Sequence, residues 1–311
     1  MRAMTFGSVR RGAVAACAMG TAMVAVTALT AGEVHAAGTK PIVFSRYTAG
    51  KPVEDLYSIS STGGTLTKLT NTPLVSDVMP SWSPDGSRIA LLRYGSGGAI
   101  DGIWTMKSSG GTPVHIKGTD GAADPSWSPD GHRIAFSKPV GSHTEIFISG
   151  TGGTPLTRLT HNSVDDNNPS WSPDGKYLVF SRTTAGGHSH LKRIRVTTHA
   201  ESTVTSVGST YDSAPDWSHG NTIAFSRSGS SGIAHLYVVR PDGSGLHRIT
   251  SGRLNDITPS WSPDGTRLVF TRGGGDDADP QHLFLVKSDG TGLTRLTKTD
   301  SHDIEADWRS F

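Results

Sequence analysis

Apolar residues in this chain come in short runs bounded by glycine, proline, serine and aspartate, and the runs recur. One set reads Ile42-Val43-Phe44-Ser45-Arg46, Ile89-Ala90-Leu91-Leu92, Ile134-Ala135-Phe136, Leu178-Val179-Phe180, Ile223-Ala224-Phe225 and Leu268-Val269-Phe270. These are β-branched and aromatic stretches bounded by turn formers, which predicts strands. A second set alternates, as in Leu56-Tyr57-Ser58-Ile59, Ile103-Trp104-Thr105-Met106 and Leu236-Tyr237-Val238-Val239. A third follows glycine-rich turns and reads Leu66 to Thr70, Val114-His115-Ile116, Leu156 to Thr160, Val204 to Val207, Leu246 to Thr250 and Leu293 to Thr297.

The fourth element is the most regular. Pro80-Ser81-Trp82-Ser83-Pro84-Asp85-Gly86 returns at 125–131, 169–175 and 259–265, with looser copies at Pro215-Asp216-Trp217-Ser218-His219-Gly220 and Ala306-Asp307-Trp308-Arg309-Ser310. The six tryptophans are 45, 44, 46, 44 and 47 residues apart. Ser-Pro-Asp-Gly is hairpin chemistry: Pro presets φ, Asp bonds the local backbone, and Gly takes the positive φ that re-enters a strand. A period of this length indicates a propeller or a solenoid. The chain enters on the Ile42 element and ends on the Trp308 element, leaving no room for the capping repeats a solenoid needs. The expected fold is therefore all-β: a six-bladed β-propeller with four-stranded blades, closed by the C-terminal strand joining the N-terminal blade.

Pro-Ser-Trp-Ser-Pro-Asp-Gly, followed by Ile-Ala-Phe-Ser and a Leu-Thr ending, resembles the repeat of TolB-type (WD-repeat-like) β-propellers over residues 41 to 311. That family includes a periplasmic protein of the Tol-Pal envelope system, which binds partner proteins and carries an α/β domain before its propeller. The resemblance implies a propeller of that type. Similar propellers also cover the active sites of prolyl-oligopeptidase-like enzymes.

The first 36 residues differ from the rest. Arg2, Arg10 and Arg11 precede an uncharged run from Gly12 to Gly32, and Val34 and Ala36 suit cleavage after Ala36, as in a secretory signal peptide. An uncleaved anchor is the alternative, but the run is mostly Ala, Thr and Gly rather than the Leu, Ile, Phe and Val that insert well. The expected organisation is a signal peptide over 1–36 and a propeller over 37–311. Cleavage removes Cys17, the single cysteine, so no disulfide supports the exported chain. It also removes three arginines and one glutamate, so 29 basic and 27 acidic residues become 26 of each. No basic field argues for nucleic acid.

No nucleophile elbow, phosphate loop or zinc-helix motif occurs in the exported chain. His190, His235 and His282 precede equivalent strands but stand too far apart in a propeller for one metal. The fourth repeat departs most, with Lys192, Arg193 and Arg195 in one strand. Asp276-Asp277-Ala278-Asp279 is an acidic loop.

The sharpest pattern is Asp77, Asp166, Asp212, Asp256 and Asp303, all three residues before the Trp-motif start, with Ala122 between Asp120 and Asp124 at the remaining equivalent place. Converging carboxylates repel and raise one another's pKa, so these five are the candidate site for Ca²⁺ or a basic ligand at a channel mouth; no other cofactor is expected. The reading favoured is a secreted or cell-envelope, non-catalytic monomer that binds a protein or a small extracellular ligand. Nucleic acid binding and stable membrane insertion after cleavage are not expected. The alternative is a propeller hydrolase or lyase acting on extracellular glycan or peptide.

Overall fold

A computed structural model of the chain describes residues 41–48, 50–51, 53–95, 97–274 and 280–308. The expected signal peptide lies outside these residues, as do Asp276, Asp277 and Asp279 of the acidic loop. Every regular element described is a strand, in four layers. Innermost are β4 (Ser76–Trp82), β8 (Ala123–Trp127), β12 (Asp166–Trp171), β16 (Tyr211–Trp217), β20 (Asn255–Trp261) and β24 (His302–Trp308). Next come β1 (Ile42–Tyr47), β5 (Arg88–Tyr94), β9 (Arg133–Val140), β13 (Tyr177–Thr183), β17 (Ile223–Ser228) and β21 (Arg267–Gly273). The third layer is β2 (Asp55–Ile59), β6 (Ile100–Lys107), β10 (His143–Gly150), β14 (Ser189–Arg195), β18 (Ala234–Val239) and β22 (His282–Lys287). At the rim lie β3 (Thr67–Lys68), β7 (Val114–His115), β11 (Leu156–Arg158), β15 (Glu201–Thr203), β19 (His247–Arg248) and β23 (Thr294–Arg295), edges too short to template pairing with another chain.

The all-β propeller expected from the repeats is present, but the expectation of six separate four-stranded blades is corrected by the pairing. The described strands form five sheets, four of four strands and one of eight, and no sheet closes on itself. In the eight-stranded sheet β14 and β16 are joined in parallel at Ser189 and Tyr211. In four other repeats the N–H two residues before the third-layer core residue is capped by a side chain from the next repeat: Glu54 by Ser76 Oγ, Thr144 by Asp165 Oδ1, Ala234 by Asn255 Oδ1 and Gln281 by His302 Nδ1. Tyr211 holds that place in the fifth repeat and has no short acceptor to offer. Ser189 N–H therefore donates to the Thr210 carbonyl at 3.2 Å, and a backbone link forms where others have a side-chain one. The chain ends do meet within one sheet, since β24 pairs antiparallel with β1 from Ile42 opposite Trp308 to Tyr47 opposite His302.

The core lies between successive sheets. Phe44, Phe136, Phe180, Phe225 and Phe270 of the second layer are fully buried, and clusters such as Ile42, Phe44, Val269, Leu283 and Trp308 join one sheet to its neighbour. The expected turn is also present: Gly86 has φ of 66° and donates its N–H to Ser83 O, while Asp85 Oδ1 accepts from Ser83 Oγ and Ser87 N. In the shortened fifth copy the positive φ falls on Asn221, at 58°.

Trp308 is 2% exposed and holds the sheet of β24 and β1 against that of β21. Removing a large buried aromatic costs about 3–5 kcal/mol, a large share of a domain stability of about 5–15 kcal/mol. Trp308→Ala is expected to lower the melting temperature by roughly 10 °C; calorimetry on the folded domain checks this.

Candidate functional site: a channel lined by carboxylates

Each innermost strand contains a proline or, in the last copy, Ala306. Proline has no N–H to give a neighbour, so within a sheet it requires a bulge or an edge. The register shifts at this point in every innermost strand, for example between Val78 and Ser81 and between Ile257 and Ser260. The residue just before the proline position takes a left-handed conformation: Met79, Asp124, Asn168, Ala214, Thr258 and Glu305 have φ of 50, 56, 53, 48, 51 and 55°. The bulge turns the backbone N–H sideways, where side chains from neighbouring repeats cap it. Met79 N donates to Ser45 Oγ and Glu305 Oε2 (both 3.1 Å), Asn168 N to Asp124 Oδ2 (3.2 Å), Thr258 N to Ser226 Oγ (3.1 Å) and Glu305 N to Thr271 Oγ1 (3.2 Å).

Two residues further along, the side chain before each tryptophan reaches the next repeat. Ser81, Ser170 and Ser260 Oγ accept from the backbone N–H of Trp127, Trp217 and Trp308 at 3.3, 3.1 and 3.0 Å. Asp216 and Asp307, which replace serine in the two looser copies, accept from Trp261 and Trp82 N–H at a shorter 2.7 Å, as charge-assisted bonds should.

These two tiers enclose a central cavity of about 180 Å³ lined by Asp124, Asp216, Glu305 and Asp307. Among the described residues that line it there is no lysine, arginine or histidine. Each of these residues is half-buried and lines the cavity. Burial pushes Glu305 up to about 7, with Glu54 and Asp124 adding repulsion against the relief from Met79 N–H and Ser45. Burial likewise pushes Asp307 up to about 7, helped by Asp216. Asp124 and Asp216 are also raised, again mainly by burial.

No protein-family model matches the chain. Over 56 residues it is 41% identical to a protein described as a TolB homolog from Chlorobium luteolum, a match that takes in 18% of this chain and 13% of that protein. TolB from Acinetobacter baumannii superposes with a TM-score of 0.74 at 21% identity, over 86% of this chain and 66% of that one. The fold is that of a TolB-type β-propeller. A putative TolB from Agrobacterium tumefaciens gives 0.66 at 21% identity, over 87% of this chain and 98% of that one. The propeller thus spans less than two thirds of the length of the first two proteins.

The structure places the five aspartates singled out by the repeat pattern at the start of the innermost strands and does not bring them together. Each is fully buried and gripped by an arginine from the adjacent second-layer strand: Asp77 by Arg93, Asp166 by Arg182, Asp212 by Arg227, Asp256 by Arg272 and Asp303 by Arg46, with Nε–O distances of 2.5–2.7 Å. Among the described residues no group of three or more His, Cys, Asp or Glu is placed to hold a metal ion. Calcium at any of the five would have to displace a guanidinium. Such a planar, two-pronged pair is strong, and removing one partner of a buried pair costs about 3–5 kcal/mol. Asp166 and Glu201 hold Arg182 well above its ordinary pKa. The basic strand of the fourth repeat is likewise engaged locally, with Arg193 Nε on Ser202 Oγ at 2.7 Å and Arg193 and Arg195 over the Tyr177 ring.

The channel carboxylates escaped the sequence pattern because they occupy two different repeat positions, two residues apart. The signal was present: only the looser motif copies carry Asp before Trp, at Asp216 and Asp307. The arginine partners had a signal too, since the repeat with Ala122 in place of Asp also has Lys138 in place of Arg.

A carboxylate with a raised folded pKa stabilises the fold below its unfolded value and withdraws that stability as pH rises through the folded one. Glu305 and Asp307 should therefore make the propeller less stable between about pH 4 and 7. Glu305→Gln and Asp307→Asn keep an acceptor for Met79 and Trp82 N–H without the charge. Both variants are expected to melt above the wild type at pH 8 and to match it more closely at pH 4.5, as thermal melts across that range would show.

Proposed function

We propose that this chain is an exported protein-binding module of the cell envelope, and that its channel receives basic side chains of a partner. The observation that carries the reading is the set of four carboxylates facing one cavity with no cation among its lining residues. A cation entering there would meet charge that the fold itself leaves uncompensated, and low surrounding polarity strengthens the attraction. A cavity of about 180 Å³ takes side chains from a loop or tail rather than a folded element. The TolB-type fold supports a protein partner and an envelope setting, and the sequence of residues 1–36 supports export. Among the described residues no helix is long and apolar enough to cross a membrane.

A fluorescent hexa-arginine peptide serves as the probe. Binding is expected at pH 8 in low salt, weaker at 0.5 M salt where screening is nearly complete, and lost in the Glu305→Gln/Asp307→Asn double variant. Equal binding by the double variant would remove the channel from the proposal.

Export is tested separately by mass spectrometry of protein recovered from the envelope or medium. The expected N-terminus is Ala37, within a residue or two; recovery of intact Met1 from soluble cytoplasm would refute an envelope role.

A further inference from the structure

One register position divides the propeller into two chemical halves. On the third-layer strands of the first three repeats it is filled by Asp55, Gly102 and Glu145, opposite Arg46, Arg93 and Lys138. In the last three it is filled by His190, His235 and His282, opposite Arg182, Arg227 and Arg272. His190 is 6% exposed and His235 9%, and the Nδ1 of each is buried without a hydrogen-bond partner. A ring nitrogen left bare in that way is well suited to a neutral imidazole and poorly suited to a charged one.

The surroundings sharpen this. His235 Nδ1 stands 3.6 Å from Asp256 Oδ2, across the boundary into the next repeat. Asp256 is already held by Arg272 at 2.5 and 2.8 Å. Facing His235 are Arg227 on the neighbouring strand, Arg248, Arg272 and Asp256. Facing His190 are Arg182, Lys192, Asp166 and Asp212, and both of those aspartates are held by arginines. A proton on either ring therefore adds positive charge where the carboxylates are already matched.

We propose that His190 and His235 make the boundaries between the fourth, fifth and sixth repeats acid-labile, while the repeats built on Asp55, Gly102 and Glu145 hold. Burial first, and then Lys192 and Arg182 for His190 and Arg248 for His235, lower the pKa of both histidines. A histidine depressed in the fold contributes stability that is complete above its unfolded value of about 6.5 and is lost as pH falls through the folded one. The sign is opposite to that of the channel carboxylates, and the location is different, so the two effects separate.

Hydrogen exchange on the intact domain at pH 7.5 and 5.5, corrected for the intrinsic pH dependence of exchange, reads the effect locally. Amides of Ser189–Arg195, Tyr211–Trp217 and Ala234–Val239 are expected to open several-fold more readily at the lower pH, up to about tenfold for each histidine because pH 5.5 lies about one unit below the free imidazole value, whereas those of Asp55–Ile59 and Ile100–Lys107 stay protected. The His190→Gln/His235→Gln variant should abolish the difference. Loss of protection that is uniform along the chain, or that persists in the variant, overturns the proposal. If the variant fails to fold, imidazole titration of the wild type by NMR decides: midpoints below 6.5 for both rings sustain the proposal, and midpoints at or above that value overturn it.

Discussion

A proline in five of the six innermost strands sets the terms for the rest of the molecule. Pro80, Pro125, Pro169, Pro215 and Pro259 cannot donate to a ladder, and a strand that carried them straight with the ring nitrogen towards its neighbour would leave a carbonyl unmatched. The bulge resolves this at a cost: a left-handed conformation in a residue with a Cβ is unfavourable by about 1–2 kcal/mol. The sideways N–H is then taken by Ser45, Asp124, Ser226 or Thr271, so the strain is offset by contacts that also tie one repeat to the next. The last copy has Ala306 instead of proline, yet Glu305 keeps φ of 55°. The neighbours impose the bulge there, and the proline is one contributor among several.

The bulge also decides what each acidic residue can do. Asp212 and Asp216 lie four residues apart on β16. Asp212, before the bulge, faces Arg227 and becomes part of a matched ion pair; Asp216, beyond it, faces the channel and has only neutral donors, from Trp261 N–H and Ser170 Oγ. Taking an unpaired charge out of water costs several kcal/mol, whereas a hydrogen bond to a charged group returns about 1.5–3 kcal/mol. A channel carboxylate is thus left short by more than its donors supply, and it meets the shortfall by holding its proton to higher pH. Sites that conflict with stability in this way are common where a protein binds something.

How much of this could be read from the sequence depends on whether a feature is repeated or singular. The strands, the Ser-Pro-Asp-Gly turns and the pairing of Trp308 with Ile42 follow from a period repeated six times, in which each copy corroborates the others. The fusion of two repeats into one eight-stranded sheet occurs at Tyr211, where Ser76, Asp165 and Asn255 supply side-chain oxygens in three other repeats. No periodic argument reaches a single exception. The five aspartates were found as a set without the arginines that grip them, because loops feeding a channel suggest convergence, while strand pairing puts Arg93 and its equivalents directly opposite.

Comparing copies within one chain gives a finer instrument than the period itself. The tryptophans never change, and the buried second-layer positions stay apolar in every copy; these make the fold. Positions that change in pairs report contacts, as Ala122 with Lys138 against Asp with Arg in the other five. Positions that change singly fall on the channel, where Met79, Asp124, Asn168, Ala214, Thr258 and Glu305 share one backbone conformation and no common chemistry. Identical geometry with unlike side chains means that the backbone is constrained by folding and the side chain is not. The two acids among those six, with Asp216 and Asp307 below them, are choices the fold does not require, and their one shared consequence is a channel with negative charge and no cation in its lining.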